Sequence, residues 1–453
     1  MDRKTKTFIG LDIGTSSVKG GLLSETGEVL ATGRRGFDYD RPAPGLIEIP
    51  ADRYLASCRA LLSELAAAVP ETAELAGISE ASASGNPVLV GEDGEALAPI
   101  INWQDTRVTD ECETVLGDFD RDAYYRSTGW GFDMKTFPLG DFCWYRVHCP
   151  DLLDSAAAVA MSTEYLNYKL TGKWGIGTSA GTPFYLIDQA TGTYRRDVLD
   201  KIGVPEEKLP PILETGSILG CVTEEASRTW GIPAGVPVTV GTFDHPSAAR
   251  GVGVLREGQL LLSCGTSWVG LYPIGDRERV LDAGMLADPF LSEKGGPSCG
   301  MVSLASVSGI LEACVRRYVT NEGDIYGTLA SLASESEPGA GGLKIDPLGL
   351  QDEVEIARHP KPHIARAIME GTVAHLARRI REMKEKGISA AEAVMVGGPS
   401  ETPLWAKLIE EQTGLTVTVK HGAFAGAVGA AMLAGIAAGV WKDEADAQRT
   451  AGN

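Results

Sequence analysis

The sequence predicts a mixed α/β fold built as two related domains, and three observations carry that prediction. Apolar, strand-like runs flank a Gly-Thr-Ser turn near the start, at Phe8–Ser24. The same pattern returns at Gln259–Tyr272, where Ser263–Ser267 stands as Asp12–Ser16 does in the first segment. Between them lies a Gly/Pro-rich stretch, Pro233–Thr239, that opens a new strand. Hairpins followed by helix–strand units fit an α/β domain, and one supersecondary pattern in both halves points to duplication. The expected division falls at 236/237, giving domains 1–236 and 237–453.

Two apolar runs around Asp12–Ser16, then a turn at Glu25–Glu28 and a further run Val29–Thr32, read as strand, turn, strand, turn, strand. Leu and Ala at helical spacing place a helix over Tyr54–Val69, and strands are expected at Gly77–Ser84 and Pro99–Trp103. The second half predicts helices at Val302–Tyr318 and Ile364–Lys386, a strand at Ala393–Val396 and the turn Gly397–Ser400. A helix Leu404–Thr413, a strand Leu415–Val419 and a helix Ala423–Gly439 follow. The uncharged run Ala423–Trp441 is long enough to span a membrane, but twelve of its residues are Ala or Gly. Small residues make it weakly apolar and suited to close packing inside a core.

With 453 residues, 43% of them hydrophobic, the chain is large enough for several domains and a sizeable core. It carries 61 acidic against 41 basic residues, a formal charge of −20. No basic stripe appears, which argues against nucleic acid as a partner. A phosphate ligand on so acidic a chain needs a local positive field from backbone N–H groups, helix N-termini or a divalent cation. The eight cysteines show no C-x-x-C or zinc spacing, and no signal peptide opens the chain. Reduced, mostly buried thiols and a cytoplasmic location are the expectation.

Several segments have residue types suited to chemistry. In Asp12-Ile-Gly-Thr-Ser16, a hairpin turn at Gly14 frees backbone N–H groups, and Thr15 and Ser16 add hydroxyls, a pattern able to hold phosphate oxygens. Asp12, at a strand end, is placed to hold magnesium through water. Gly265 and Thr266 offer a second cradle of the same chemistry. Asp244, at a strand–helix junction in Gly241-Thr-Phe-Asp244, reads as an N-cap or as a base that takes a proton from a substrate hydroxyl. Gly397–Trp405 follows a strand and opens a helix, and glycine there lets a flat base or ribose approach the backbone. Asn102–Arg107 combines indole, carboxylate and guanidinium, the mixture that binds sugars.

Taken together, these segments resemble the FGGY carbohydrate kinase family. The resemblance rests on Gly10–Lys19, Trp103–Arg107 as a W-x-D-x-R loop, Thr163–Gly172, Gly241–Asp244, Ser263–Ser267, Ala365–Gly371 and Gly397–Trp405, in order over nearly the whole chain. It implies two ribonuclease-H-like (actin-like ATPase) domains with ATP and sugar meeting in an interdomain cleft. It implies that Asp244 is the catalytic base and a metal ligand, and that Asp12 positions Mg2+. Thr15, Ser16, Gly265 and Thr266 then face ATP phosphates, and Gly398 and Thr402 the adenosine. Trp103, Asp105 and Arg107 lie near the sugar.

Three features depart from the family pattern. The loop before the substrate strand is short, Ser84-Gly-Asn-Pro-Val88, leaving Asn86 as its one obvious polar candidate. Ile345–Val354 lacks the expected Pro-Tyr-Leu-x-Gly-Glu-Arg-like run. Pro399 stands where a third glycine is common. The expected activity is ATP-dependent phosphorylation of a small sugar, a ketose or deoxysugar, or of a sugar alcohol, without nucleic-acid or membrane partners; a homodimer stays open. The competing readings are a non-catalytic nucleotide-binding regulator on the same fold and an actin- or chaperone-like ATPase.

Overall fold

The computed structural model describes residues 3–451 except 119, 131–134, 266–267, 292–295, 304–306, 350 and 421. The chain forms two compact units that do not follow a single division at 236/237. The first comprises Met1–Leu255, Leu286–Ser298 and Phe424–Asn453; the second comprises Arg256–Met285 and Cys299–Ala423.

The first unit starts with β1 (Thr5–Ile13) and β2 (Ser17–Ser24), an antiparallel hairpin that pairs Asp12 with Lys19 and Ile13 with Val18. The Gly14 N–H closes its turn on the Ser17 carbonyl at 3.0 Å. β3 (Val29–Gly36) extends the sheet beyond β2, and its residues alternate between half-buried and exposed, as an edge strand's do. Helix α1 (Ala51–Ala67) buries Leu61, Leu62 and Leu65 against the sheet beside Ile9 and Leu11. Next, β4 (Ala73–Ser82) runs parallel to β1 on its other side. The expected strand Pro99–Trp103 is reduced to Ile100–Ile101.

Further along come α2 (Pro138–His148), with proline in its first turn, and α3 (Ser162–Thr171), ended by Gly172 in the left-handed conformation. Helix α4 (Asp244–Val252) then starts at Asp244 itself. Its cap position is Phe243 and no side chain caps it, so Asp244 is the first helical residue rather than the cap.

The second unit repeats the hairpin. β5 (Gly258–Cys264) and β6 (Trp268–Ile274) are antiparallel, with Cys264 opposite Trp268. The expected helix over Val302–Tyr318 begins later: the strand Ser298–Ser303 takes the first residues and the helix is Val307–Tyr318. The apolar Gly-Met-Val run suits either state, and packing selects the strand. Helix α5 (Lys361–Glu385) leads to β7 (Ala390–Gly397), which lies parallel to β5, as β4 lies to β1. Helix α6 (Pro403–Thr413) and the parallel strand β8 (Thr416–Val419) complete it. Each unit therefore has a hairpin whose first strand pairs in parallel with a later one, which is the echo heard in the sequence.

The chain then returns to the first unit as α7 (Ala425–Ala437) and α8 (Glu444–Thr450). Small residues on α7 let it touch backbone on two sides. A Cβ on Gly10 of β1 would run into the Ala427 carbonyl; one on Gly429 would strike the Ser247 carbonyl of α4. Phe8 packs on Trp441 at 5.4 Å between ring centres. No helix among the described residues is long and apolar enough to cross a membrane.

Candidate active site

Two carboxylates at element ends form the centre of the site in the first unit. Asp12 is the penultimate residue of β1 and Asp244 opens α4, and both elements pack on α7. The start of α7 is tight against the first of them: a Cβ on Gly426 would lie 2.7 Å from Asp12 Cγ. Burial pushes the Asp12 carboxyl up to about 6; Lys19 and His245 pull it down, and the Asp244 charge adds to the rise. Lys19 Nζ is 3.8 Å from Asp12 Oδ2, a consequence of the hairpin register. Among the described residues no hydrogen bond reaches this carboxylate. Asp244 is more open, with its side chain 24% exposed and Oδ1 accepting from the His245 N–H at 2.7 Å.

The first phosphate-type turn lies beside them. Thr15 is half-buried and Ser16 exposed. Thr15 Oγ1 accepts from Trp103 Nε1 at 3.0 Å, so the candidate substrate loop is fastened to the turn. That loop is also fastened from below: Asn86, buried behind it, accepts from the Trp103 N–H through Oδ1 at 2.9 Å. The Trp103 ring stacks on Phe137 at 6.4 Å, with 15° between planes.

Asp105 and Arg107 are spent on one another. Asp105 Oδ1 accepts from Arg107 N and Nε at 2.8 and 3.0 Å, and Oδ2 accepts from Arg107 Nη2 at 2.8 Å and from Ile47 N at 2.6 Å. Arg107 also reaches Glu48 at 2.9 Å and lies over the Trp144 ring. The pair shapes the Trp103 loop, and Asp105 is buried.

Behind Asp244, Glu80 Oε1 accepts from the Gly241 N–H at 2.9 Å and from Asn167 Nδ2 at 2.7 Å. Burial raises the Glu80 carboxyl to about 7 against those two bonds. Sequence reasoning missed Lys19 and Glu80. Lys19 was readable from the hairpin register. Glu80 was not, because its partners lie 87 and 161 residues away.

In the second unit, Gly265 is exposed at the end of β5, while Thr266 lies outside the described residues. Gly397 has φ +103°, and a Cβ there would strike the Cys264 carbonyl, so only glycine lets β7 finish against β5. Gly398 faces open space within 4 Å of its Cβ position. Pro399 sits in the first turn of a 3-10 segment, Gly398–Glu401, where its fixed φ is suited. Thr402 is half-buried and precedes α6.

With this geometry in place, comparison with known proteins is decisive. Residues 7–251 match the N-terminal domain of the FGGY family of carbohydrate kinases, and residues 348–438 match its C-terminal domain. The chain belongs to the FGGY family of carbohydrate kinases. This FGGY kinase is 26% identical to the autoinducer-2 kinase of Salmonella typhimurium, over 97% of its own length and 87% of that protein's. Its fold is similar to that of xylulose kinase from Rhodospirillum rubrum, with TM-score 0.83 and 25% identity over 96% of this chain and 91% of that one. Glycerol kinase from Plasmodium falciparum, solved with ADP, shares the fold with TM-score 0.84 at 16% identity, covering 99% of this chain and 92% of that one. The FGGY kinase thus has the two-domain, actin-like ATPase architecture and is an ATP-dependent sugar kinase. The filament, chaperone and regulator readings fall away.

Proposed function

We propose that this kinase transfers the γ-phosphate of ATP to a hydroxyl of a small ketose or related polyol, with Asp244 as the general base. The observation that carries this reading is that Asp12, near the end of β1, and Asp244, at the start of α4, stand on two elements that pack on the same helix, α7, whose first turn lies against Asp12. Asp244, partly open, accepts the proton of the attacking hydroxyl as oxygen–phosphorus bonding develops. Thr15 and Ser16 offer donors to phosphate oxygens, and Trp103 gives an apolar face to the acceptor. Gly265, Thr266, Gly398 and Thr402 are the proposed remaining ATP contacts.

The donor set suits magnesium. Mg2+ is held by one or two carboxylates together with waters and nucleotide phosphates, not by a cage of protein ligands. Among the described residues no trio of His, Cys, Asp or Glu gathers. A half-buried Asp12 carboxylate with only a long ion pair to Lys19 is a group that a cation would satisfy. Asp12 would hold the ion with Asp244 beside it, and the ion would neutralise charge on the transferred phosphate.

The names of the relatives, autoinducer-2 kinase and xylulose kinase, supply the first acceptors to try. The test is ADP release with Mg-ATP and, in turn, xylulose, autoinducer-2, glycerol and other polyols. Asp244→Asn is expected to cut turnover by about 10²–10⁴-fold while ATP still binds. Wild-type turnover in that variant would refute the base.

A further inference from the structure

Behind Asp244 lies a line of buried polar groups that the chemistry above does not use. Arg250, on α4, is fully buried, with its guanidinium 5.2 Å from the centre of the Phe290 ring. Its Nη1 donates to Thr242 Oγ1 at 3.0 Å. Thr242 Oγ1 is 2.9 Å from Ser179 Oγ, and Ser179 Oγ is 3.0 and 2.9 Å from the two carboxylate oxygens of Asp288. Ser179 Oγ also accepts from the Phe243 N–H at 3.1 Å. At the outer end, Arg250 Nε reaches Glu444 of α8 at 3.4 Å.

The chemistry of the ends fixes the direction of the whole line. A guanidinium only donates and an ionised carboxylate only accepts. Thr242 accepts from Arg250 and turns its one proton to Ser179 at 2.9 Å in preference to the Phe243 carbonyl at 3.3 Å. Ser179 has accepted from Thr242 and from Phe243, so its one proton goes to Asp288. Each hydroxyl uses its donor, and Ser179 uses both lone pairs. The line runs through Thr242 and takes in the Phe243 N–H, the two residues that lead directly into Asp244.

We propose that Arg250, Thr242, Ser179 and Asp288 are positioning residues, a directed hydrogen-bond relay that holds the main chain at 242–243 and so aims the Asp244 carboxylate. The proposal rests on the reading of Asp244 as base. Stability alone does not call for such a line, since apolar residues of similar size fill a core as well as buried ions do. The fixed direction is what an apolar filling could not supply. It needs Asp288 ionised. Burial pushes its carboxyl up to about 7, opposed by the bond from Ser179 and by the Arg250 charge, while the Asp244 charge adds to the rise. Arg250 and Asp244 are the charged groups acting on it, and Thr182 Oγ1 gives a further weak bond at 3.4 Å. Protonation of Asp288 puts a donor at the end of the line that the fixed direction needs as an acceptor, so turnover should decline as pH falls through about 7.

The test compares Thr242→Val, which removes the hydroxyl at constant shape, with Thr242→Ser, which keeps it, using xylulose or the acceptor returned by the ADP-release screen. Misaiming a catalytic group should lower kcat by about ten- to a hundredfold in Thr242→Val, with KM for ATP within about twofold. Thr242→Ser should stay within about threefold of wild type. Asp288→Asn should lower kcat in the same way and change the acid limb of the pH profile. A folded Thr242→Val with wild-type kcat, or equal losses in the Val and Ser variants, would overturn the relay. If Thr242→Val does not fold, wild-type kcat and an unchanged pH profile in Asp288→Asn overturn it instead. Full turnover in Asp244→Asn would defeat the base; an inactive Asp244→Asn beside a fully active Thr242→Val would defeat the relay alone.

Discussion

Trp103 donates its indole N–H to the hydroxyl of Thr15, 88 residues earlier in the chain, at 3.0 Å. The residue proposed to face the acceptor is thereby tied to the turn proposed to face the phosphates. Trp103→Phe keeps an aromatic ring against Phe137 and removes this bond together with part of the indole's packing area. A hydrogen bond contributes roughly 0.5–1.5 kcal/mol net, so kcat/KM should fall about three- to tenfold. Steady-state kinetics with Thr15→Val in parallel checks it: Thr15→Val also removes a proposed phosphate donor, and the double variant should lose less than the product of the two single losses.

Asp12 should couple metal binding to pH. A carboxyl raised to about 6 by burial must lose its proton before it can hold a cation. Affinity for Mg2+ in the presence of ADP should therefore be weaker at pH 5 than at pH 7.5. Asp12→Asn should bind weakly at both. Calorimetric titration at the two values gives the answer, and equal affinity in the wild type would contradict it.

Glu164 offers a stability test. It is buried on α3, its Oε2 lacks a hydrogen-bond partner among the described residues, and burial raises its carboxyl from 4.5 to about 8. The folded state holds that proton more tightly than the unfolded chain does. Stability from this group is therefore full below about 4.5 and is lost as pH rises through about 8. Glu164→Gln should leave stability at pH 5 nearly unchanged and raise it at pH 8.5 by on the order of a few kcal/mol. Urea unfolding at the two pH values measures the difference.

Gly10→Ala should be severe for its size. The added methyl meets the Ala427 carbonyl, which is helix backbone and cannot rotate away. Overpacking of this kind costs about 1–3 kcal/mol or more. Because α7 also borders Asp12 and α4, kcat should fall with stability, whereas Gly439→Ala, which meets only open space, pays mainly for its left-handed φ of +67°. Denaturation curves and kcat for both variants separate the two effects.

Much of this architecture was legible because it is local. The Gly-Thr-Ser hairpins follow from apolar runs that break at turn residues, and α7 follows from an uncharged run of small residues between such breaks. Asp12 was legible as a strand-end carboxylate. The assignment of Asp244 as a cap failed by one position, because capping depends on a backbone angle at Phe243 that composition does not encode. Asp105 and Arg107 were expected near the sugar, but Ile47 and Glu48, which help to bind them, lie more than fifty residues earlier. Asp288 carries no motif at all. It reaches Ser179 across 109 residues, a distance over which pattern gives no information.

The placement of α7 also sets an order of events during synthesis. The central strand of the first unit leaves the ribosome long before the helix covering one of its faces, which is made only after the entire second unit. Until then Gly10 and its neighbours present a backbone groove shaped for a helix that does not yet exist. The nascent first unit must therefore wait, incompletely packed, and the carboxylates at positions 12 and 244 acquire their common support only when α7 docks.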